Sequence, residues 1–279
     1  MVKRKPQSGK SPIKEYEEVL KKIRAPRGVK VEERFAKSIL TSSKIPGMDY
    51  ALNPYIGCAH ACCYCYVRLM QRFFGHQGER WGTFVDVKYN APRLLLKELA
   101  RKRKGTVMLA SATDPYQPLE KKRKITRACL EILADARFPV SVLTKSALIL
   151  RDLDLLKQIG DLSVGITITT DDERVRRVME PHASSIPDRL IALEALANAG
   201  LSPHVFIGPI LPMDPAALAK KLEPLAQLVY FDTMNYPSLT RSLIKKRRWE
   251  MVFDHNFSDH VIETFRDIFG KDRVEAICE

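Results

Sequence analysis

The chain has 279 residues, 45% of them hydrophobic, enough for one large domain or two small ones with a true core. Its formal net charge of +13 favours polyanionic partners, and no apolar run is long enough to span a bilayer, so a cytoplasmic protein without a membrane partner is expected. The N-terminus, MVKRKPQSGK, leads into the charged KEYEEVLKKIR and not into the apolar stretch of a secretory signal.

Residues 1–45 are polar, lack strand signals and read as a basic extension with one helix around 13–23. From residue 46 to 240, short β-rich apolar runs alternate with helical patterns. The runs are 50–56, 106–110, 140–144, 162–169, 203–207 and 228–232. The helical patterns are 67–76, 93–101, 121–136, 148–159, 187–199 and 215–225. Residues 241–279 start basic and hold a capping helix at about 259–269. Alternation of this kind predicts an α/β fold with parallel strands and right-handed crossovers. VMLAS, VSVLT and VGITI are nearly all apolar, as strands covered on both faces are. An open doubly wound sheet and a partial barrel both fit.

Polar residues gather where strands end: a cysteine loop after the first, Ser111 to Tyr116 after the second, Lys145 after the third, Thr167 to Asp172 on the fourth, Asp232 to Asn235 on the sixth. Ligands bind at the carboxyl ends of parallel strands, so these residues mark one candidate face. Three unbroken basic runs, 101–104, 121–124 and 245–248, favour nucleic acid over solvated helix ends. Trp249 beside the last run either stacks on a base or anchors the C-terminal helix.

The loop NPYIGCAHACCYCY places Cys58, Cys62, Cys63 and Cys65 within eight positions. Clustered thiols in a reducing compartment favour metal binding or catalysis over a disulfide. Cys58-x3-Cys62-x2-Cys65 can wrap three thiolates round a cubane iron–sulfur cluster, leaving one iron open. Adjacent residues rarely both reach one cluster, so Cys63 is left out. Structural zinc usually takes two paired knuckles, and here only His60 is at hand as a cramped fourth ligand. Cys129 lies in an apolar helical pattern and reads as a buried hydrophobe; Cys278 reads as incidental.

With Tyr64 before the last cysteine, the extended motif resembles the cluster loop of the radical S-adenosylmethionine (SAM) superfamily, in the branch that contains spore photoproduct lyase. SATDPYQPLE, VLTKS, ITITTDDERVRRVMEP and GPILP extend the resemblance over about residues 45–240. It implies a partial (β/α)6 barrel, with N- and C-terminal extensions in this chain. It also implies a [4Fe–4S] cluster on Cys58, Cys62 and Cys65, SAM on its open iron, and an electron donor such as ferredoxin or flavodoxin. Reductive cleavage of SAM would then give a 5′-deoxyadenosyl radical that takes a hydrogen atom from substrate.

The resemblance also distributes roles. Tyr64 lies against the adenine, and Ser111, Thr113 and Asp114 meet the amino group of SAM. Lys145 neutralises its carboxylate, and Thr167 and Thr169 bond its ribose or methionine part. Tyr64 and Tyr66 match tyrosines of the lyase relay and are the catalytic candidates. Glu180 and Arg189 are weaker candidates, readable as a surface pair. One departure stands out: the hydrogen-returning cysteine of the lyase falls at Ser111, whose O–H bond is far too strong for that task. The leading expectation is a radical SAM enzyme, lyase- or transferase-like, that repairs or modifies a nucleic acid. Alternatives are a radical SAM enzyme for a peptide or small metabolite and a non-enzymatic zinc-stabilised nucleic-acid-binding module.

Overall fold

The computed structural model describes residues 12–277, so the basic N-terminal decapeptide and Cys278 lie outside the described residues. Its strands are β1 (Lys30–Arg34), β2 (Leu40–Ser42), β3 (Tyr50–Leu52), β4 (Tyr55–Ile56), β5 (Phe84–Lys88), β6 (Val107–Leu109), β7 (Val140–Thr144), β8 (Leu162–Thr167), β9 (His204–Ile207), β10 (Val229–Phe231) and β11 (Val274–Ala276). The main sheet runs β11-β10-β9-β8-β7-β6-β3-β2. All neighbours in it are parallel except β2, which pairs antiparallel with β3. A small sheet, β1-β5-β4, lies apart from it.

Five of the six apolar runs became single strands of the main sheet; the first, 50–56, splits into β3 of the main sheet and β4 of the small one. Register shows why: Val107 faces Val140, Val142 faces Val164 and Ile166 faces Val205, all buried residues. Branched side chains pack well on a pleated surface, and covering both faces explains the missing alternation. With helices between parallel strands, the fold is α/β, as expected, and of the partial-barrel kind.

The helices are α1 (Pro12–Lys22), α2 (Ala91–Leu99), α3 (Glu120–Arg123), α4 (Ile125–Asp135), α5 (Leu153–Leu156), α6 (Glu173–Met179), α7 (Ile186–Asn198), α8 (Pro215–Leu222), α9 (Arg241–Arg247) and α10 (His255–Phe269). Ser185 caps α7 by accepting from Asp188 N at 3.2 Å, and Asp214 caps α8 by accepting from Ala217 N at 2.9 Å. Cys129 on α4 is fully buried in the main core with Leu130 and Leu133.

Several expectations need correction. The stretch read as lacking strands carries β1 and β2, and β2 edges the main sheet. The helix expected over 121–136 breaks at Lys124, whose φ is +55°. The pattern at 67–76 winds as a 3₁₀ helix, Tyr66–Phe74. β5 went unread because Asp86 breaks its apolar run. That carboxylate is buried beside Arg34 and accepts from His76 Nε2 at 2.8 Å. Strand β11 and helices α6 and α9 were also missed. No helix among the described residues is long and apolar enough to cross a membrane.

Candidate active site

The cysteine loop leaves β4 through Gly57, whose φ is +81°. A Cβ there would stand 2.6 Å from the Phe84 carbonyl oxygen and 2.9 Å from its ring, so the loop lies flat on β5. Protein groups hold its backbone. Thr113 Oγ1 donates to Gly57 O at 2.7 Å, and Ala59 N donates to Gln117 Oε1 at 3.0 Å. Cys58, Cys62 and Cys65 line one cavity of about 450 Å³. Cys63 is not among its lining residues: its thiol donates to Val178 O at 3.2 Å and its N–H to Met179 O at 2.8 Å, tying the loop to α6.

Burial raises the Cys62 thiol well above its ordinary value and the Cys65 thiol to about 12. Thiolates here therefore need a positive partner, as metal binding provides. Among the described residues, no three His, Cys, Asp or Glu side chains are grouped to hold a single metal ion. Two buried cysteines, Cys58 and Cys62, and the half-buried Cys65 lining one cavity suit a body wider than one ion, and a cubane that takes one thiolate per iron is such a body.

Tyr64, Tyr66, Ser111, Thr113, Asp114, Lys145 and Thr167 line the same cavity. Asp114 accepts from Thr144 Oγ1 at 2.6 Å, Lys145 N at 2.9 Å and Tyr116 N at 2.9 Å, so it also knits the loops after β6 and β7 together. Lys145 Nζ stands 5.7 Å from the centroid of the Tyr64 ring. Tyr66 OH donates to Ser111 O at 2.7 Å. His60, weighed above only as a zinc ligand, is buried in the cavity wall with Nδ1 3.4 Å from Asp114 Oδ2. Burial opposes its charge, but Asp114 and Cys58 outweigh that and raise it to about 9. Burial opposes the Asp114 charge too, and His60 overrides it, holding that carboxyl at about 2.

Behind the wall, Glu180 and Arg189 form an ion pair in which both side chains are 0% exposed. They are no surface pair. Glu180 also accepts from Tyr64 OH and, at 3.0 Å, from Thr169 Oγ1; Arg189 donates to Thr167 O at 3.0 Å and Ser184 O at 2.9 Å. Burial alone would raise the Glu180 carboxyl, but Arg189, Lys145 and the Tyr64 hydrogen bond hold it below its usual range. Thr169 thus serves the wall and is not among the lining residues.

The far side of the cavity holds Phe206, Gly208, Asp232, Asn235 and Tyr236, to which the sequence reading gave no roles. Asp232 and Asn235 had been marked only by position after a strand; Phe206 lies within β9, and Gly208 and Tyr236 follow β9 and β10. The basic runs do not converge. Residues 101–104 precede β6, at the end of the sheet opposite the cysteine loop. In the second run, Lys121 Nζ bonds Leu20 O and Ile23 O, and Arg123 pairs with Glu33. Residues 245–248, exposed at the end of α9, are the run that comes after the cavity's last loop in the chain. Trp249 packs with Ile244 and Val252 in an apolar cluster that also holds Val175 and Met179 of α6 and no residue of α10, so it packs α9 and not the C-terminal helix.

Known proteins agree with this geometry. A family model described as the radical SAM superfamily matches residues 52–219. An uncharacterised protein of Methanocaldococcus jannaschii is 37% identical over 202 residues, covering 72% of this chain and 76% of that protein. A radical SAM Nalpha-GlyT isomerase of Pseudomonas phage M6 is 24% identical over 188 residues, 67% of this chain and 36% of that one. A solved spore photoproduct lyase variant with bound AdoMet and dinucleoside spore photoproduct superposes with a TM-score of 0.60 at 15% identity, covering 98% of this chain and 87% of that chain. That last likeness is one of fold, whereas the family match runs through the cysteine loop and on into α8. The chain therefore belongs to the radical SAM superfamily of enzymes.

Proposed function

We propose that Cys58, Cys62 and Cys65 hold a [4Fe–4S] cluster, that SAM fills the cavity beside them, and that the enzyme repairs or modifies a nucleic acid. The carrying observation is the cavity itself: Cys58, Cys62 and Cys65 share it with Asp114, Lys145 and Thr167, and the exposed basic run at 245–248 follows its last loop in the chain. The bound cluster and SAM supply one-electron cleavage and a hydrogen-abstracting radical, with electrons from a ferredoxin- or flavodoxin-type donor.

The chain's own residues bind and orient. Lys145, at the end of β7, offers a cation to the carboxylate of SAM, while its charge also bears on Cys62 and Glu180. Tyr64 presents a ring made rigid by Glu180, suited to the adenine. Ser111 Oγ accepts from Asn53 Nδ2 at 3.2 Å, and Thr113 is bonded to Gly57 O; both polar groups border the cavity where an amino group would lie. Tyr66, half-exposed and held by Ser111 O, is the catalytic tyrosine nearest the mouth. Membership of an enzyme superfamily removes the non-enzymatic zinc module from contention. For the substrate, the net charge, the exposed run and the dinucleoside photoproduct bound by the lyase of like fold support nucleic acid.

Anaerobic reconstitution should give roughly four irons per chain, and Cys62→Ala should lose them while Cys63→Ala keeps them. Full iron in Cys62→Ala would reject the ligand set. Single-stranded DNA or RNA affinity should fall with salt, each neutralised phosphate adding about 0.7–0.9 to the log–log slope. Absence of any affinity at low salt would transfer the substrate to the peptide or metabolite class.

A further inference from the structure

We infer that the wall centred on Asp232 and Tyr236 is a recognition site for one unstacked nucleobase, read through a base N–H; this inference rests on the nucleic-acid reading above. Asp232 follows β10 directly and its backbone is fixed on both sides. Its N–H donates to Ile207 O at 3.1 Å, and its carbonyl accepts from Ile210 N at 3.1 Å. Asn235 Nδ2 donates to Oδ2 at 2.8 Å and so sets the plane of the carboxylate. The other oxygen, Oδ1, is buried and has no hydrogen-bond partner among the described residues. Buried acceptors are nearly always paired, so a donor from a bound molecule is the missing part.

The surroundings define the molecule. At Gly208, a Cβ would stand 2.4 Å from Phe206 Cε1 and 3.0 Å from Asp232 Cβ, so only glycine lets that ring and the carboxylate share the wall. At the mouth, the Tyr66 and Tyr236 rings lie nearly parallel, 26° apart with centroids at 6.3 Å, and they are 42% and 43% exposed. They come from distant parts of the chain: Tyr66 follows the loop after β4, and Tyr236 follows β10. One acceptor beside flat apolar faces fits a planar ring that carries an N–H donor. A carboxylate repels phosphate, so this wall takes the base while the cations at 245–248 are left for the backbone. Chemistry on a base requires that it leave the stack, and an aromatic pair at the mouth offsets the lost stacking.

The test uses the full chain, cluster-reconstituted and saturated with SAM, held anaerobically at one salt concentration. Fluorescent strands of one length are compared, entirely abasic or carrying a single central base, with each of the four bases in turn. At least one base should tighten binding about tenfold over the abasic strand. Asp232→Asn and Tyr236→Ala should erase that difference and leave abasic affinity as it was, while Tyr236→Phe, which keeps the ring, should preserve it. Alanine at Lys245, Lys246, Arg247 and Arg248 together should weaken both kinds of strand alike. Equal affinity for abasic and base-bearing strands in the wild type overturns the inference and spares the nucleic-acid reading. Asp232→Asn that weakens SAM binding instead also overturns it, because the acceptor would then belong to the cofactor. Failure of every strand to bind ends the nucleic-acid reading and this inference with it.

Discussion

Two carboxylates flank the cavity and are treated in opposite ways. Glu180, behind the Tyr64 ring, is saturated by Tyr64, Thr169 and Arg189. Asp232, in the opposite wall, has one oxygen held by Asn235 and one left without a partner. The contrast separates architecture from recognition. A buried charge that the protein neutralises fully can only shape its neighbours, whereas one left half-paired is ready for something that arrives.

The sharpest way to break the contrast is Arg189→Met, which strands the Glu180 charge in the interior. We expect a loss of about 3–5 kcal/mol in chemical denaturation. A loss below about 1 kcal/mol would mean that Glu180 is not dependent on its partner. Next comes Tyr64→Phe, which removes one hydrogen bond to that carboxylate. It should cost about 1.5–3 kcal/mol, and a neutral result would detach Tyr64 from the wall.

A third test uses pH on metal-free protein. The folded value of His60 lies above its ordinary 6.5, so its contribution is complete below that value and is lost as pH rises through about 9. Asp114 is depressed and gives the mirror case: its contribution is present at neutral pH and lost only as pH falls through about 2. Between pH 7 and 10, wild type should therefore lose on the order of 1–3 kcal/mol relative to His60→Gln. Parallel pH profiles for the two proteins would remove the His60–Asp114 pair from the account. The smallest effect belongs to the other wall. Asp232→Asn should change stability by no more than about 0.5 kcal/mol, since no donor to Oδ1 is lost. A loss of several kcal/mol would show that Oδ1 already serves the fold.

Much of this architecture is written in local sequence. The six central strands are legible because burial on both faces demands unbroken apolar runs, and VSVLT at β7 is such a run. The cysteine loop is legible because the three cysteines that line the cavity sit within eight positions. What stays hidden depends on partners distant in the chain. β5 hides because Asp86 is neutralised by Arg34 and His76, and Glu180 reads as a surface residue because Arg189 does. β1 hides for another reason: three of its five residues are exposed, so it shows no apolar face. Most of the cavity's near side was readable from the resemblance. On its far side only Asp232 to Asn235 were marked, by position after a strand; Phe206 on β9 and Tyr236 in the loop after β10 were not, because no motif joins them.

The grip on the cysteine loop has a consequence for how the site is filled. Gln117, Thr113 and the carbonyls of Val178 and Met179 hold the loop by bonds that involve no metal. Small zinc domains unfold when stripped, because the ion is their core. Here the loop is held by protein groups from α6 and from the segment after β6. On the proposed ligand set, the loop is therefore ordered before loading, and a group that binds there has little chain entropy left to remove.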